Sequence, residues 1–160
     1  MRFNIFKKEK LAIFAPVNGE IIPLSEVPDP VFSQKMMGEG IAMVPEEGKV
    51  SSPVKGSVIL VADTKHAVGI RAVDGTEILV HVGLETVSLN GEGFTVAVNV
   101  GDKVAAGQLL MKVDLDTIKA RAKSIITPIV ITNSHENGKQ YRFTQDKKGT
   151  IGETVIITEA

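Results

Sequence analysis

Three histidines, His66, His81 and His135, are the foremost candidates for chemistry in a chain of 160 residues that contains no cysteine. Without thiols there is no disulfide, no thiolate zinc site and no thiol nucleophile. His81 stands inside a run of branched aliphatics, Ile78-Leu79-Val80-His81-Val82. Upstream lies Asp74-Gly75, a favoured pair for a two-residue hairpin loop because both loop positions need positive φ. That loop predicts a register in which Val73 faces Thr76, Ile70 faces Leu79, Val68 faces His81 and His66 faces Gly83. Since alternate residues of a strand share a face, His66, Val68, His81 and Gly83 then project together, the histidines being diagonal neighbours about 7–8 Å apart. Ile78, Val80 and Val82 point the other way, into a core. Gly83, with no side chain, leaves room for a ligand or a partner's atoms.

Two imidazoles on one face could bind zinc, share a proton, or let one ring attack while the other donates a hydrogen bond to a transferred anion. With an ordinary pKa of about 6.5, either ring is available in its neutral form near pH 7. Periodicity does not choose among these chemistries. His135 sits in a polar turn, Ser134-His135-Glu136-Asn137-Gly138-Lys139, and reads as an exposed loop residue.

The elements that must carry these side chains read as short strands over 11–15, 19–24, 41–44, 57–62, 67–73, 76–82, 94–98, 109–113, 129–132 and 154–158. They are rich in Val and Ile and are separated by Gly, Pro, Asn and Asp, the pattern of an antiparallel sandwich or barrel. Helix is scarce: Asp114 or Asp116 could cap a short one running to about Lys123, and 33–37 adds a turn. Two echoes suggest an internal duplication: Ala15-Pro16-Val17-Asn18-Gly19 with Ser52-Pro53-Val54-Lys55-Gly56, and Gly38-Glu39-Gly40-Ile41 with Gly91-Glu92-Gly93-Phe94. Two copies of each are too few for a solenoid.

A hydrophobic content of 43% over this length suits one compact domain. The 18 basic and 19 acidic side chains nearly cancel, which argues against nucleic acid as a partner. No apolar stretch approaches the roughly 20 residues that span a bilayer, and the start MRFNIFKKEK has no secretory core; a cytoplasmic protein is expected. Residues 1–12 read as a flexible N-terminal segment and 13–160 as a single domain. Phe3, Ile5 and Phe6 beside Lys7, Lys8 and Lys10 support weak membrane contact at most.

Longer stretches carry a resemblance: Thr64-Lys65-His66-Ala67, then 74–87 from Asp74 to Val87, then Leu89-Asn90-Gly91-Glu92-Gly93-Phe94, with Val27-Pro28-Asp29-Pro30-Val31-Phe32 upstream and Thr127-Pro128-Ile129-Val130 downstream. From about Ile13 onward the chain resembles the glucose-family enzyme IIA component of the bacterial phosphoenolpyruvate-dependent sugar phosphotransferase system. The resemblance implies an all-β fold, an antiparallel β-sandwich of the duplicated hybrid motif type with one or two short helices. It also implies a phosphocarrier. His81 would accept a phosphoryl group on Nε2 from the histidine-containing phosphocarrier protein and pass it to the IIB domain of a glucose-type permease. His66 would support the transfer, Thr64 would orient His66, and the Gly83 carbonyl would fix the His81 tautomer through Nδ1.

A docking patch is expected around this site: Val31, Phe32, Met36, Met37, Ile41, Met43, Leu79 and Val87, rimmed by Asp29, Glu39 and Glu85. Glu85 replaces the aspartate frequent in the family. No cofactor is required, although some members share zinc between both histidines and a partner's carboxylate, so a shared zinc at His66 and His81 and further regulated enzymes or transporters enter as expectations. The alternatives are a zinc-dependent hydrolase or metal-binding module using the same pair, and a biotinyl or lipoyl carrier built on Gly101-Asp102-Lys103-Val104. The chain lacks the His-x-His of the related peptidases, and Thr117 stands where a carrier's modified lysine would be expected.

Overall fold

The computed structural model describes residues 10–160; Phe3, Ile5, Phe6, Lys7 and Lys8, the residues of the membrane-contact expectation apart from Lys10, lie outside the described residues. Fourteen strands are present among the described residues: β1 (Ala12–Phe14), β2 (Gly19–Pro23), β3 (Glu39–Pro45), β4 (Lys49–Ser51), β5 (Gly56–Val61), β6 (Ala67–Ala72), β7 (Glu77–His81), β8 (Phe94–Val96), β9 (Lys103–Val104), β10 (Leu109–Val113), β11 (Thr127–Ile131), β12 (Tyr141–Phe143), β13 (Lys148–Gly149) and β14 (Val155–Glu159). Each of the ten expected strands overlaps one of them. The four that were not expected, β4, β9, β12 and β13, are two or three residues long, too short for alternation to register. Ala12, placed by the sequence in a flexible segment, is in β1 and pairs with Thr158.

An eight-stranded sheet, in the order β13-β2-β3-β11-β7-β6-β5-β9, faces two three-stranded sheets, β1-β14-β12 and β4-β10-β8. All recorded pairings are antiparallel. Between the layers lies one core that draws Ile41, Met43, Val68, Ile70, Ile78, Val80, Ile129 and Ile131 from the large sheet and Ile13, Phe94, Leu110, Met111, Ile156 and Ile157 from the small ones. The other face of the large sheet carries a second cluster, Ala42, Ala67, Leu79 and Val130, capped by Leu24, Val27, Phe32 and Leu84. The central strands are therefore apolar on both sides, which is why they read as continuous aliphatic runs instead of alternating.

Two short helices complete the fold. Helix α1 (Pro30–Ser33) starts where the Asp29 side chain accepts the Val31 N–H at 3.0 Å and proline takes the first helical position; it precedes the turn expected at 33–37. Helix α2 (Leu115–Arg121) is capped by Asp114, whose Oδ1 accepts the Thr117 N–H. Among the described residues no helix is long and apolar enough to cross a membrane.

The duplication is physical. Gly19 and Gly56, the glycines of the first echo, open β2 and β5. The Phe14 N–H donates to Pro53 O at 2.9 Å and the Ser51 N–H to Pro16 O at 2.8 Å. Phe14 and Ser51 hold equivalent places before the two Pro-Val turns, so these bonds are related by a pseudo-twofold. The partner strands obey the same relation: Gly149 and Lys148 pair with Gly19 and Glu20, as Val104 and Lys103 pair with Gly56 and Ser57. Gly107 and Gly152 stand face to face, both at positive φ.

Candidate functional site

The β6–β7 hairpin differs from its predicted register by one residue. Ala67 lies opposite His81, Val68 opposite Val80 and Ile70 opposite Ile78. The cause is the loop. Asp74 is absent from the positive-φ residues while Gly75 has φ 94°, so Asp74-Gly75 does not form the two-residue loop. Instead the Ala72 N–H donates to Thr76 O and the Gly75 N–H to Ala72 O, closing a three-residue loop over 73–75. Asp74 Oδ1 accepts the Thr76 N–H at 3.0 Å, the side-chain turn for which aspartate is suited.

A slip of one residue moves a strand's side chains to the other face. Val68 accordingly lies in the main core, with no exposure, and does not join His81. Ile78, Val80 and Val82 do fill that core. His81 belongs to the second face, in phase with Leu79.

The histidines nevertheless meet. His66 ends the loop between β5 and β6, just after Lys65 at φ 63°, and there strand alternation no longer sets the side-chain direction. Its carbonyl accepts the Val82 N–H at 2.8 Å, while its ring stands edge-on to His81 with centroids 4.7 Å apart and an interplanar angle of 76°. Phe32 of α1 covers His81 from another side, centroids 5.0 Å apart. His66 is buried and His81 half-buried.

Each ring is anchored through Nδ1. Thr64 Oγ1 is 2.7 Å from His66 Nδ1. His81 Nδ1 is 2.9 Å from the Gly83 carbonyl oxygen. A carbonyl only accepts, so the proton of neutral His81 is on Nδ1 and its Nε2 carries a free lone pair. Burial pushes the His81 pKa down, and the neighbouring His66 adds to this, bringing it to about 4 against the opposing pull of the Gly83 hydrogen bond and Asp29. His66 is also lowered, again by burial, with a Thr64 backbone hydrogen bond opposing.

Gly83 is not the open space expected. At φ 77° it turns the chain, and a Cβ there would stand 2.6 Å from Thr86 Cγ2 and 2.9 Å from the Ser124 carbonyl oxygen, so the room is filled by this chain's own atoms. Ile41 and Met43 are likewise corrected: both are buried in the main core, on the far side of the sheet from His81. Val31, Met36 and Val87 are exposed; Met37 is half-buried, and Phe32 and Leu79 lie in the second cluster beneath. Asp29 and Glu39 are half-buried and Glu85 is exposed. His135 is exposed, and its Nε2 donates to the Lys35 carbonyl at 3.2 Å. Among the described residues no cluster of three or more His, Cys, Asp or Glu could hold a metal ion.

Sequence reasoning missed what supports the turn after His81. Thr86 Oγ1 donates to Val82 O at 2.8 Å, and Leu84 bridges to Ser124. The only sequence signal was a threonine four residues after Val82, the spacing of a hydroxyl that bonds back to a carbonyl.

A two-layer antiparallel sandwich with internal pseudo-symmetry and a partly buried, cross-anchored imidazole pair defines the class of protein, and comparison with known proteins gives the family. Residues 11–137 match the family described as phosphoenolpyruvate-dependent sugar phosphotransferase system, EIIA 1. The chain is 50% identical over 159 residues to the glucose-specific EIIA component of Oceanobacillus iheyensis, covering 96% of each chain. It is also 50% identical over 147 residues to the glucose-specific EIICBA component of Staphylococcus carnosus, where the match covers 92% of this chain and 22% of that longer one. Its fold superimposes on glucose permease IIA from Mycoplasma capricolum with a TM-score of 0.88 and 39% identity, covering 98% of this chain and 99% of the other. The chain belongs to the EIIA 1 family, and its role is that of a phosphocarrier component of the sugar phosphotransferase system.

Proposed function

We propose that His81 is the phosphoryl acceptor of a glucose-type system, taking the group from the histidine-containing phosphocarrier protein and giving it to a IIB domain. The observation that carries this reading is the 2.9 Å contact of His81 Nδ1 with the Gly83 carbonyl, because it leaves the Nε2 lone pair unprotonated. In the transfer, Nε2 attacks phosphorus, the phosphorus–nitrogen bond of the donor's phosphohistidine breaks, and the donor ring leaves with that bond's electron pair. The proton stays on Nδ1 throughout, donated as a hydrogen bond to the Gly83 carbonyl, which can stabilise the positive charge that develops on the ring. His66 serves as hydrogen-bond donor to the phosphoryl oxygens: with the Thr64 hydroxyl donating its hydrogen bond to His66 Nδ1, the hydrogen of the neutral ring is on His66 Nε2.

The partners would dock on Val31, Met36 and Val87, with Met37, Phe32 and Leu79 beneath and Asp29, Glu39 and Glu85 as an acidic rim toward a basic partner. The EIICBA relatives join an EIIA-like part to the rest of a permease in one chain, which supports a IIB partner. In this reading 13–160 is one EIIA domain working in the cytoplasm, without a resident cofactor. A zinc ion shared with a partner would find two imidazoles here and needs further ligands from that partner to reach four; the same shortfall weighs against the zinc hydrolase.

Incubation with phosphoenolpyruvate, enzyme I and the phosphocarrier protein is expected to place acid-labile phosphate on the wild type and none on His81→Ala. Label persisting in His81→Ala would overturn the assignment. His66→Gln is expected to be labelled yet to pass the group poorly to a IIB domain, and normal onward transfer would remove the role given to His66.

A further inference from the structure

The four residues after His81 form a strained turn. Gly83 and Glu85 both have left-handed backbone, φ 77° and 58°, and for glutamate that conformation is unfavourable, so it persists only where the surroundings enforce it. On one side the Leu84 N–H donates to Ser124 O at 2.9 Å and the Lys123 N–H to Leu84 O at 3.2 Å. On the other stands Thr86, with no solvent exposure. Its hydroxyl donates to the Val82 carbonyl at 2.8 Å and its methyl packs where a Gly83 Cβ would be. Gly83 is therefore gripped between the Thr86 methyl and the Ser124 carbonyl, and its own carbonyl is delivered 2.9 Å from His81 Nδ1.

We propose that Thr86 is the positioning residue of this site: by tying the Val82 carbonyl through its hydroxyl it holds the turn that aims the Gly83 carbonyl at His81, and so sets the orientation and tautomer of that ring. Without the aimed carbonyl the Nδ1 proton loses the 2.9 Å hydrogen bond that favours it there. The neutral imidazole then distributes between its two tautomers, and the form with the proton on Nε2 has no lone pair with which to attack. The consequence for rate rests on the reading of His81 as phosphoryl acceptor; the consequence for the tautomer does not.

The test pairs Thr86→Val, which keeps the shape and removes the hydroxyl, with Thr86→Ser, which keeps the hydroxyl. Ring ¹⁵N resonances of His81 at pH 7 report the tautomer. The wild type is expected to show a protonated Nδ1 and a bare Nε2, Thr86→Val to move both resonances toward a mixture, and Thr86→Ser to restore the wild-type pattern. In the phosphorylation assay Thr86→Val is expected to lose about fivefold in kcat, the ratio set by one ordinary net hydrogen bond, with KM for the phosphocarrier protein little changed. If Thr86→Val does not fold, Thr86→Ala takes its place with the same expectation. Wild-type His81 resonances in a folded variant without the hydroxyl would overturn the proposal. A wild type whose His81 has the expected tautomer but takes no phosphate would instead overturn the acceptor role and leave the positioning of the ring intact.

Discussion

Burial disfavours a proton on His81, and the second imidazole, its centroid 4.7 Å away, adds to this, so the His81 pKa is pushed down to about 4 from the ordinary value near 6.5. Its Nε2 is thus unprotonated over the whole physiological range. Phosphoryl acceptance is expected to be flat from pH 8 to about 5 and to fall only toward 4; a midpoint near 6.5 in an NMR titration of the His81 ring would contradict this. The sign for stability follows from proton counting. Between about 4 and 6.5 the unfolded chain binds a proton at this position and the folded chain does not, so stability rises with pH across that window. As pH falls through it, the fold is expected to lose on the order of 3 kcal/mol from this group. His81→Phe, which cannot titrate, should flatten that part of a denaturant-unfolding series.

At the scale of elements, β3 explains a glycine that the sequence showed only as an echo. Gly40 lies opposite Val130 on β11, and a Cβ there would come within 2.1 Å of the Ile129 carbonyl oxygen and 2.8 Å of the Val130 Cα. These are backbone atoms of a central strand, which cannot give way without loosening the ladder. Gly40→Ala is expected to destabilise by about 2–4 kcal/mol, in the range of overpacked or strained sites, and to lower the thermal midpoint. A variant as stable as wild type would show that β3 and β11 can separate freely. The hairpin shows how local chemistry decides register. Aspartate can enter a two-residue loop only at positive φ, but its carboxylate also forms a side-chain turn at ordinary φ, and here the Thr76 N–H takes that second offer.

Over the whole molecule, one lysine couples separate layers. Lys139 Nζ lies 2.9 Å from Asp74 Oδ2 in the β6–β7 loop and 3.1 Å from Glu159 Oε1 at the end of β14, so it links the eight-stranded sheet to a three-stranded one. Partial burial pushes the Asp74 carboxyl up, but the hydrogen bonds from Lys139 and Thr76 and the lysine's charge outweigh it, leaving Asp74 below its ordinary value; those same carboxylates raise Lys139. A depressed carboxylate contributes stability above its unfolded pKa of about 3.9 and loses that contribution as pH falls through the folded value. Lys139→Met is expected to cost about 1 kcal/mol at neutral pH, a modest figure because the pairs are partly exposed, and the difference from wild type should close in acid. An unchanged thermal midpoint at pH 7 would dismiss the link.

The sequence by itself determined an antiparallel sandwich or barrel, ten strand positions, a short helix capped at Asp114 or Asp116 and the signs of a duplication, because strand composition and turn residues are local properties. It determined the family too, through linear motifs around His66 and His81. Only the tertiary structure decided the rest. Val68 was assigned to the wrong face because register depends on which of two turns Asp74 makes, an outcome settled by the bonds of the finished hairpin. Ile41 and Met43 were placed on a docking surface because a strand buried on both faces does not reveal in sequence which face lies toward the site. Thr86 and Ser124 went unseen because their effect is exerted through Gly83, and the Ser124 side of that grip comes from a distant segment. The pairing of the histidines comes from a strand end on one side and a left-handed loop on the other, a geometry that exists only once β5, β6 and β7 are assembled.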